Sequence, residues 1–394
     1  MIDINMSKSS KYLLFGNLYF IQGIILAMCE LILPVYLVEK GFPVPLITLV
    51  IGILLIPWSI KFFWGAVIDY YIYFGRKIFI IIGGFQYASG LFAVAFIDPQ
   101  EYLILFVFFL FFSMSGTVLL NVAVNAWAIE VSHENERGRF SGSMLAGQSI
   151  GRFVGFVGLA FIAHLISYNV TFLISGVIII IITSFVFLFR DIKRGVKSEK
   201  IRIIVKNEFK KKTTQFISVF LLIMFISGGI LSVVVPLYLK IVFNLDIAQM
   251  GLIYAIFPVA VTIGSLVGGG AADKYGRKNV LFIFILLSMI FSASLIFVVN
   301  WQFLVILYAI INFFIGGYNT VNFALMMDIT NPRVGGFQLS FLTSISNTGG
   351  TIGETISGYM VSIFGFSRVF LCSAWFLGPV LLMLYFIKFK GGKK

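Results

Sequence analysis

The sequence predicts an all-α polytopic membrane protein, with twelve transmembrane helices in two pseudo-symmetric six-helix bundles. Three observations lead there. Hydrophobic residues make up 60% of the 394 and charged ones only 11%, where a soluble domain carries about 25% charge. Apolar runs of about twenty residues or more recur along the whole chain, each long enough to cross roughly 30 Å of hydrocarbon at 1.5 Å per residue. One hydrophilic stretch, RDIKRGVKSEKIRIIVKNEFKKKTTQ (190–215), divides these runs into two sets of six.

In order, the spans are expected at 12–38, 46–69, 78–97, 101–130, 139–165 and 169–189, then 216–241, 249–272, 279–299, 302–328, 337–363 and 367–389. The polar start MIDINMSKSSK runs into a first span too long for a signal h-region, so no cleavable leader is expected. The domains are therefore 1–189, an N-terminal bundle; 190–215, a basic linker; and 216–394, a C-terminal bundle. The linker suits either an anionic leaflet surface or a plain solvated loop. Of 29 Lys and Arg residues, only Lys40, Lys240 and Arg368 fall on one side of the membrane. Lys61 and Arg152 fall inside spans, and the rest lie on the side that holds both termini. By the positive-inside rule that side is the cytoplasm, which indicates an integral protein of the plasma or inner membrane. The net charge of +13 is thus a matter of topology, and no nucleic-acid partner is expected.

The two halves repeat at an offset near 202 residues. LPVYL (33–37) answers VPLYL (235–239), and GAVIDYYIYFGRK (65–77) answers GGAADKYGRK (269–278). Asn121 corresponds to Asn319, and Gly151-Arg152 to Gly353-Glu354. Internal repeats of this kind mark secondary transporters, whose solute sites lie near the midplane. The paired G-x-x-x-D…G-R-K loops after spans two and eight resemble the signature loop of the major facilitator superfamily, and the resemblance covers the whole chain. PWSIKFFWGAVIDYYIYFGRK (57–77), AWAIEVSHENERGRFSG (126–142) and DITNPRVGGFQLSFLTSISNTGG (328–350) are similar to the branch of muropeptide permeases and acetyl-coenzyme A transporters. That branch commonly carries acids in its fourth span, where this chain has Asn121 and Asn125. If those acids couple protons in relatives, this protein couples elsewhere or not to protons.

Intramembrane charge is costly and therefore informative, about 2.5–3.5 kcal/mol for an arginine at a helix centre on insertion scales. Arg152 lies near the middle of span five. Three partners could offset its cost: Glu30 in span one, Glu354 in span eleven, or an anionic ligand held by the guanidinium fork. Glu30 and Glu354 are candidate proton-exchanging groups, with a constitutive ion pair as the alternative. Asn121 with Asn125, and Asn319 with Asn322, share helix faces at i, i+4 and i, i+3. With Gln22, and more weakly Asn17, they offer a neutral hydrogen-bonding rim for a polar solute, or interhelical ties. Lys61 reads as a gating or structural residue rather than a substrate contact. From the family resemblance, Asp69 with Arg76 and Asp273 with Arg277 form latches that open and close with the transport cycle. Glu130 with Arg137 and Asp328 with Arg333 would join the same network, unless these are plain surface ion pairs of little weight. The glycines flanking Arg152 and Glu354 permit close helix approach.

There is no nucleophile beside a base, phosphate loop or metal-ligand pair, so no enzyme, cofactor or metal is expected. Cys29 and Cys372 read as small packing residues. The expected function is secondary transport of a small, anionic organic solute by alternating access, with proton coupling as an option. The partners are that solute and membrane lipid, and the protein acts as a monomer. The alternatives are a multidrug-type efflux pump for lipophilic compounds and a non-transporting receptor on the same fold.

Overall fold

The computed structural model describes residues 8–131, 137–189, 210–330 and 335–386. They form twelve long helices: α1 (Ser10–Glu39), α2 (Val44–Ile68), α3 (Lys77–Val94), α4 (Pro99–Val131), α5 (Gly142–Leu165), α6 (Tyr168–Leu188), α7 (Lys212–Ile241), α8 (Ile247–Tyr275), α9 (Arg277–Phe297), α10 (Trp301–Ile329), α11 (Gly335–Phe364) and α12 (Phe366–Phe386). Among the described residues there is no strand. Hydrocarbon offers backbone N–H and C=O groups no partner, so the backbone pairs chiefly within its own segment, and the helix does that. Large side chains such as Ile104, Leu266 and Leu382 lie exposed, as suits a protein embedded in lipid.

Eleven of these helices are apolar enough to cross a membrane by composition alone. The twelfth, α11, carries the polar run SISNTGGTIGETISG. It remains a continuous helix because its hydroxyls turn back onto its own carbonyls. Ser346 donates to Leu342, Thr348 to Ser344, Thr355 to Thr351 and Ser357 to Glu354, at 2.7–3.2 Å, so few donors are left to the lipid.

Helix starts are set by local chemistry. Asp98 caps α4, accepting from Gln100 N at 3.0 Å with Pro99 at the first helical position; proline tolerates that position because its missing N–H is not needed there. The Lys40 ammonium, 2.7 Å away, and the Gln100 amide hold the Asp98 carboxyl below the usual aspartate range. Ser167 caps α6 and Asn300 caps α10. Asp246 and Gln249 exchange hydrogen bonds at the start of α8, the reciprocal arrangement of a capping box. Gly75 and Gly276, which open the two G-R-K motifs, have φ of 89° and 85°, a region open to glycine and strained for other residues.

The helices fall into two compact units. One gathers the described residues of Met1–Lys40, Ile60–Lys197 and Asp246–Leu252; the other gathers those of Gly41–Ser59, Ser198–Leu245 and Ile253–Lys394. In the first, α1 packs on α5, α3 on α4 and α6, and the second half of α2 on α4. In the second, α7 packs on α11, α9 on α10 and α12, and α8 on α10, the same scheme repeated. The first half of α2 lies in this second unit, against α11. The helix breaks at Ile60 (φ −108°, ψ 21°), three residues after Pro57. Asn347 of α11 donates to the Trp58 carbonyl at 3.0 Å, beside the break. The cores are conventional: Phe15 packs in a tilted contact on buried Trp127 in the first unit, ring centroids 5.2 Å apart, and Phe220, Met224, Leu281, Val321 and Leu377 close the second.

Candidate functional site

Close packing of α1 on α5 places the intramembrane charges of the first unit. A Cβ on Gly147 would collide with the Gly16 carbonyl, and one on Gly151 with that of Phe20. With no side chain in the seam, the backbones touch and Arg152 comes within reach of α1. Its Nη2 donates to Glu30 Oε1 at 2.5 Å, with about a quarter of each side chain exposed. Of the three partners expected for Arg152, Glu30 is the one it holds here. Its Nε is buried with no hydrogen-bond partner.

Both helices are irregular at this pair. Glu30 sits within a π turn, Met28–Ile32, and Arg152 lies just before another, Val154–Leu159. A π turn widens the helix, leaves local hydrogen bonding less complete, and recurs at functional sites. The corresponding helices of the second unit, α7 and α11, run as unbroken α-helix.

Around the pair lies a polar strip. Gln148, one turn before Arg152, donates to Gln22 Oε1 at 3.4 Å, and Gln22 Nε2 is buried without a partner. On α4, Asn125 Nδ2 donates to Asn121 Oδ1 at 3.1 Å, and Tyr19 of α1 donates to Asn125 Oδ1. The Tyr19 bond fixes which way the Asn125 amide points, and Asn125 in turn orients Asn121. The expected amide pair on α4 is thus brought together with the α1 face. Tyr19 and Gln148 are additions that the sequence reasoning missed. Gln148 could have been found as the i−4 neighbour of Arg152.

The second unit carries the repeat's version of the pair. Ser232 of α7 donates to Glu354 Oε1 at 3.1 Å. The two residues are 122 apart in sequence, as are Glu30 and Arg152. Where the first unit sets carboxylate against guanidinium, the second sets hydroxyl against carboxylate. Asn319 Oδ1 is buried and unpartnered; Asn322 is fully buried, its Nδ2 on the Met224 sulfur at 3.1 Å. A thioether is a weak acceptor, so Asn322 belongs as much to the packing as to a binding surface.

Of the expected gating residues, Arg76 meets Glu130, with Nε and Nη2 both 3.4 Å from Oε1. Asp273 is exposed and Arg277 half-buried at the junction of α8 and α9. The side chains of Asp69, Arg137 and Asp328, and all of Arg333, lie outside the described residues, as does linker segment 190–209. Lys61 is the first residue of α2 beyond its break.

A model of the major facilitator superfamily matches residues 15–218 and again 215–393, one copy over each half. The Rickettsia conorii chain named AmpG 1 is 24% identical over 377 residues, covering 86% of this chain and 89% of its own length. The 4-hydroxybenzoate transporter PcaK of Acinetobacter baylyi is 28% identical over 146 residues, 37% of this chain. Among solved structures, the nucleoside transporter NupG superposes with a TM-score of 0.77 at 14% identity, over 95% of this chain and 98% of that one, a likeness of fold. Twelve helices in two repeated halves, with a family match over both, show that this chain is a membrane transport protein rather than an enzyme and that it belongs to the major facilitator superfamily.

Proposed function

We propose that this secondary transporter moves small anionic organic solutes across the cell membrane by alternating access. It works as a monomer, with both termini in the cytoplasm and the six-span halves 1–189 and 216–394 as its moving parts. The observation that carries the reading is Arg152: a guanidinium at membrane depth, held by one carboxylate through Nη2 and offering a buried, unpartnered Nε. A solute carboxylate arriving there competes with Glu30. Glu30, released, takes a proton, and returns it when the solute leaves and the pair re-forms. That exchange couples solute to protons with asparagines, not acids, at positions 121 and 125 of α4. Gln22, Gln148, Asn121 and Asn125 orient the neutral part of the solute. Glu354 is the second proton-exchanging candidate. Arg76, Glu130, Asp69, Arg137, Asp273, Arg277, Asp328 and Arg333 act as latches that pair in one state and part in another. The name of one partial match, a 4-hydroxybenzoate transporter, supports a carboxylate solute.

The test is a thermal-shift titration of purified protein and Arg152→Gln with 4-hydroxybenzoate and nicotinate, at pH 6 and pH 8. A ligand stabilises only the state it binds. Wild type is expected to rise in Tm with at least one acid, and Arg152→Gln to lose at least about tenfold in affinity, roughly 1.4 kcal/mol. Equal affinity in the variant would remove Arg152 from the site. The efflux reading has its own support, a 29% match to the efflux pump PmrA of Streptococcus pneumoniae over 42% of this chain. Stabilisation by lipophilic cations rather than acids would favour it.

A further inference from the structure

Among the described residues of the first unit, the cations Arg152 and Lys61 stand at membrane depth against one carboxylate, Glu30. Glu30 answers Arg152, but Lys61, half-buried on α2, has no hydrogen bond or ion pair among the described residues. An ammonium at that depth carries an insertion cost like that of arginine, which water, an anion or a polar partner offsets. Three residues further along the same helix face, Trp64 Nε1 is also buried without an acceptor. Two donors at i, i+3 and no acceptor form half of an anion site.

The packing relates Lys61 to Arg152. The second half of α2 packs on α4, α4 on α1, and α1 on α5, so the two cations sit at opposite ends of a row of four helices. Their depths agree. Gly65 lies against Val122, which puts Lys61 one turn away beside Val118. Cys29 meets Met114 and Tyr19 meets Asn125, which puts Val118 level with residues 25 and 26 of α1. Gly23 lies against the Arg152 backbone, and Gly155 against Ala27, so Arg152 is within about one turn of that level.

We infer that Lys61, with Trp64, is a second anion-binding point of the same solute site, and that the preferred solute is an elongated dianion. This rests on the reading of Arg152 as the first anion contact. Neighbouring helix axes lie about 8–10 Å apart; with both side chains extended toward each other from the ends of the row, the two anionic groups would be separated by on the order of 10 Å. Between them the solute would cross Asn125, Asn121 and Gln22, which suits a polar middle.

The inference is tested by thermal-shift titration of wild type, Lys61→Met, Lys61→Arg and Arg152→Gln with diacids and their monoacids of equal length: adipate and hexanoate, suberate and octanoate, sebacate and decanoate. Wild type is expected to bind a longer diacid at least tenfold more tightly than its monoacid. Lys61→Met should lose that preference while keeping monoacid affinity within about twofold, Lys61→Arg should keep the preference, and Arg152→Gln should lose both. A diacid preference unchanged in Lys61→Met, or monoacids bound by wild type with no diacid preference, overturns the inference and leaves the role of Arg152 standing. No response of wild type to any acid overturns both. A lipid phosphate could use the same two donors. Stabilisation by phosphatidylglycerol that is lost in Lys61→Met, with the diacids inert, assigns Lys61 to lipid and also overturns the inference.

Discussion

Gly151 does for Arg152 what no other residue could do at that position. Replacing it by Ala would add helix propensity, close to 1 kcal/mol in an exposed helix, but here the methyl would meet the Phe20 carbonyl, and backbone cannot step aside. Gly151→Ala is therefore expected to destabilise by about 1–3 kcal/mol and to pull Arg152 from Glu30. Gly158, whose nearest neighbour across a Cβ would be 3.7 Å away, should accept Ala within about 0.5 kcal/mol. Unfolding in mixed detergent micelles compares the two, and equal losses would refute a specific seam at Gly151. Arg152 and Glu30 were legible as residues because charge in an apolar run is rare. Their pairing was not, because Glu354 and an anionic ligand stood as alternatives until the seam put α1 and α5 in contact. Tyr19 was missed because tyrosine is an ordinary residue of apolar helices, and only its bond to Asn125 sets it apart.

Helix ends repeat between the halves in a way that reaches beyond the shared motif. Lys77, at the start of α3, donates to the Phe187 and Phe189 carbonyls at 3.1 and 3.0 Å and lies over the Phe187 ring. Lys278, at the start of α9, donates to the Tyr385 carbonyl at 2.9 Å and lies over the Tyr385 ring. In both units the lysine of G-R-K thus closes the C-terminal end of the last helix, where carbonyls lack donors and the helix dipole is negative. Lys77→Met and Lys278→Met should each cost about 0.5–1 kcal/mol, additively, since they lie in separate units. Single and double variants in the same unfolding assay check this, and a neutral pair would reduce both contacts to surface decoration. The motif was visible in the sequence as part of a signature loop. Its bond to the sixth helix of each half was not, because more than a hundred residues separate the partners.

At the scale of the whole molecule, the repeat keeps the scheme of helix contacts while the polar chemistry diverges. The paired positions hold carboxylate and guanidinium in one half and hydroxyl and carboxylate in the other, and only the first half has π turns beside them. Orientation belongs to this scale too. With nearly all Lys and Arg on the side of the termini, a fluorescent protein fused after Lys394 is expected to fluoresce in a bacterial cytoplasm, and alkaline phosphatase fused there to be inactive. The opposite result would invert the proposed topology. The sequence by itself determined the class of the protein, its twelve spans, its duplication and its buried charges, because hydrophobic length, lysine bias and repeated motifs are properties of the chain taken locally. The tertiary structure alone decided that Glu30 answers Arg152, that α11 carries its polar run by bonding to itself, that α2 breaks at Ile60, and that Lys61 is left without a partner among the described residues. The Glu30–Arg152 pair and the isolation of Lys61 depend on which helix faces which, and that is settled by contacts between residues far apart in the chain.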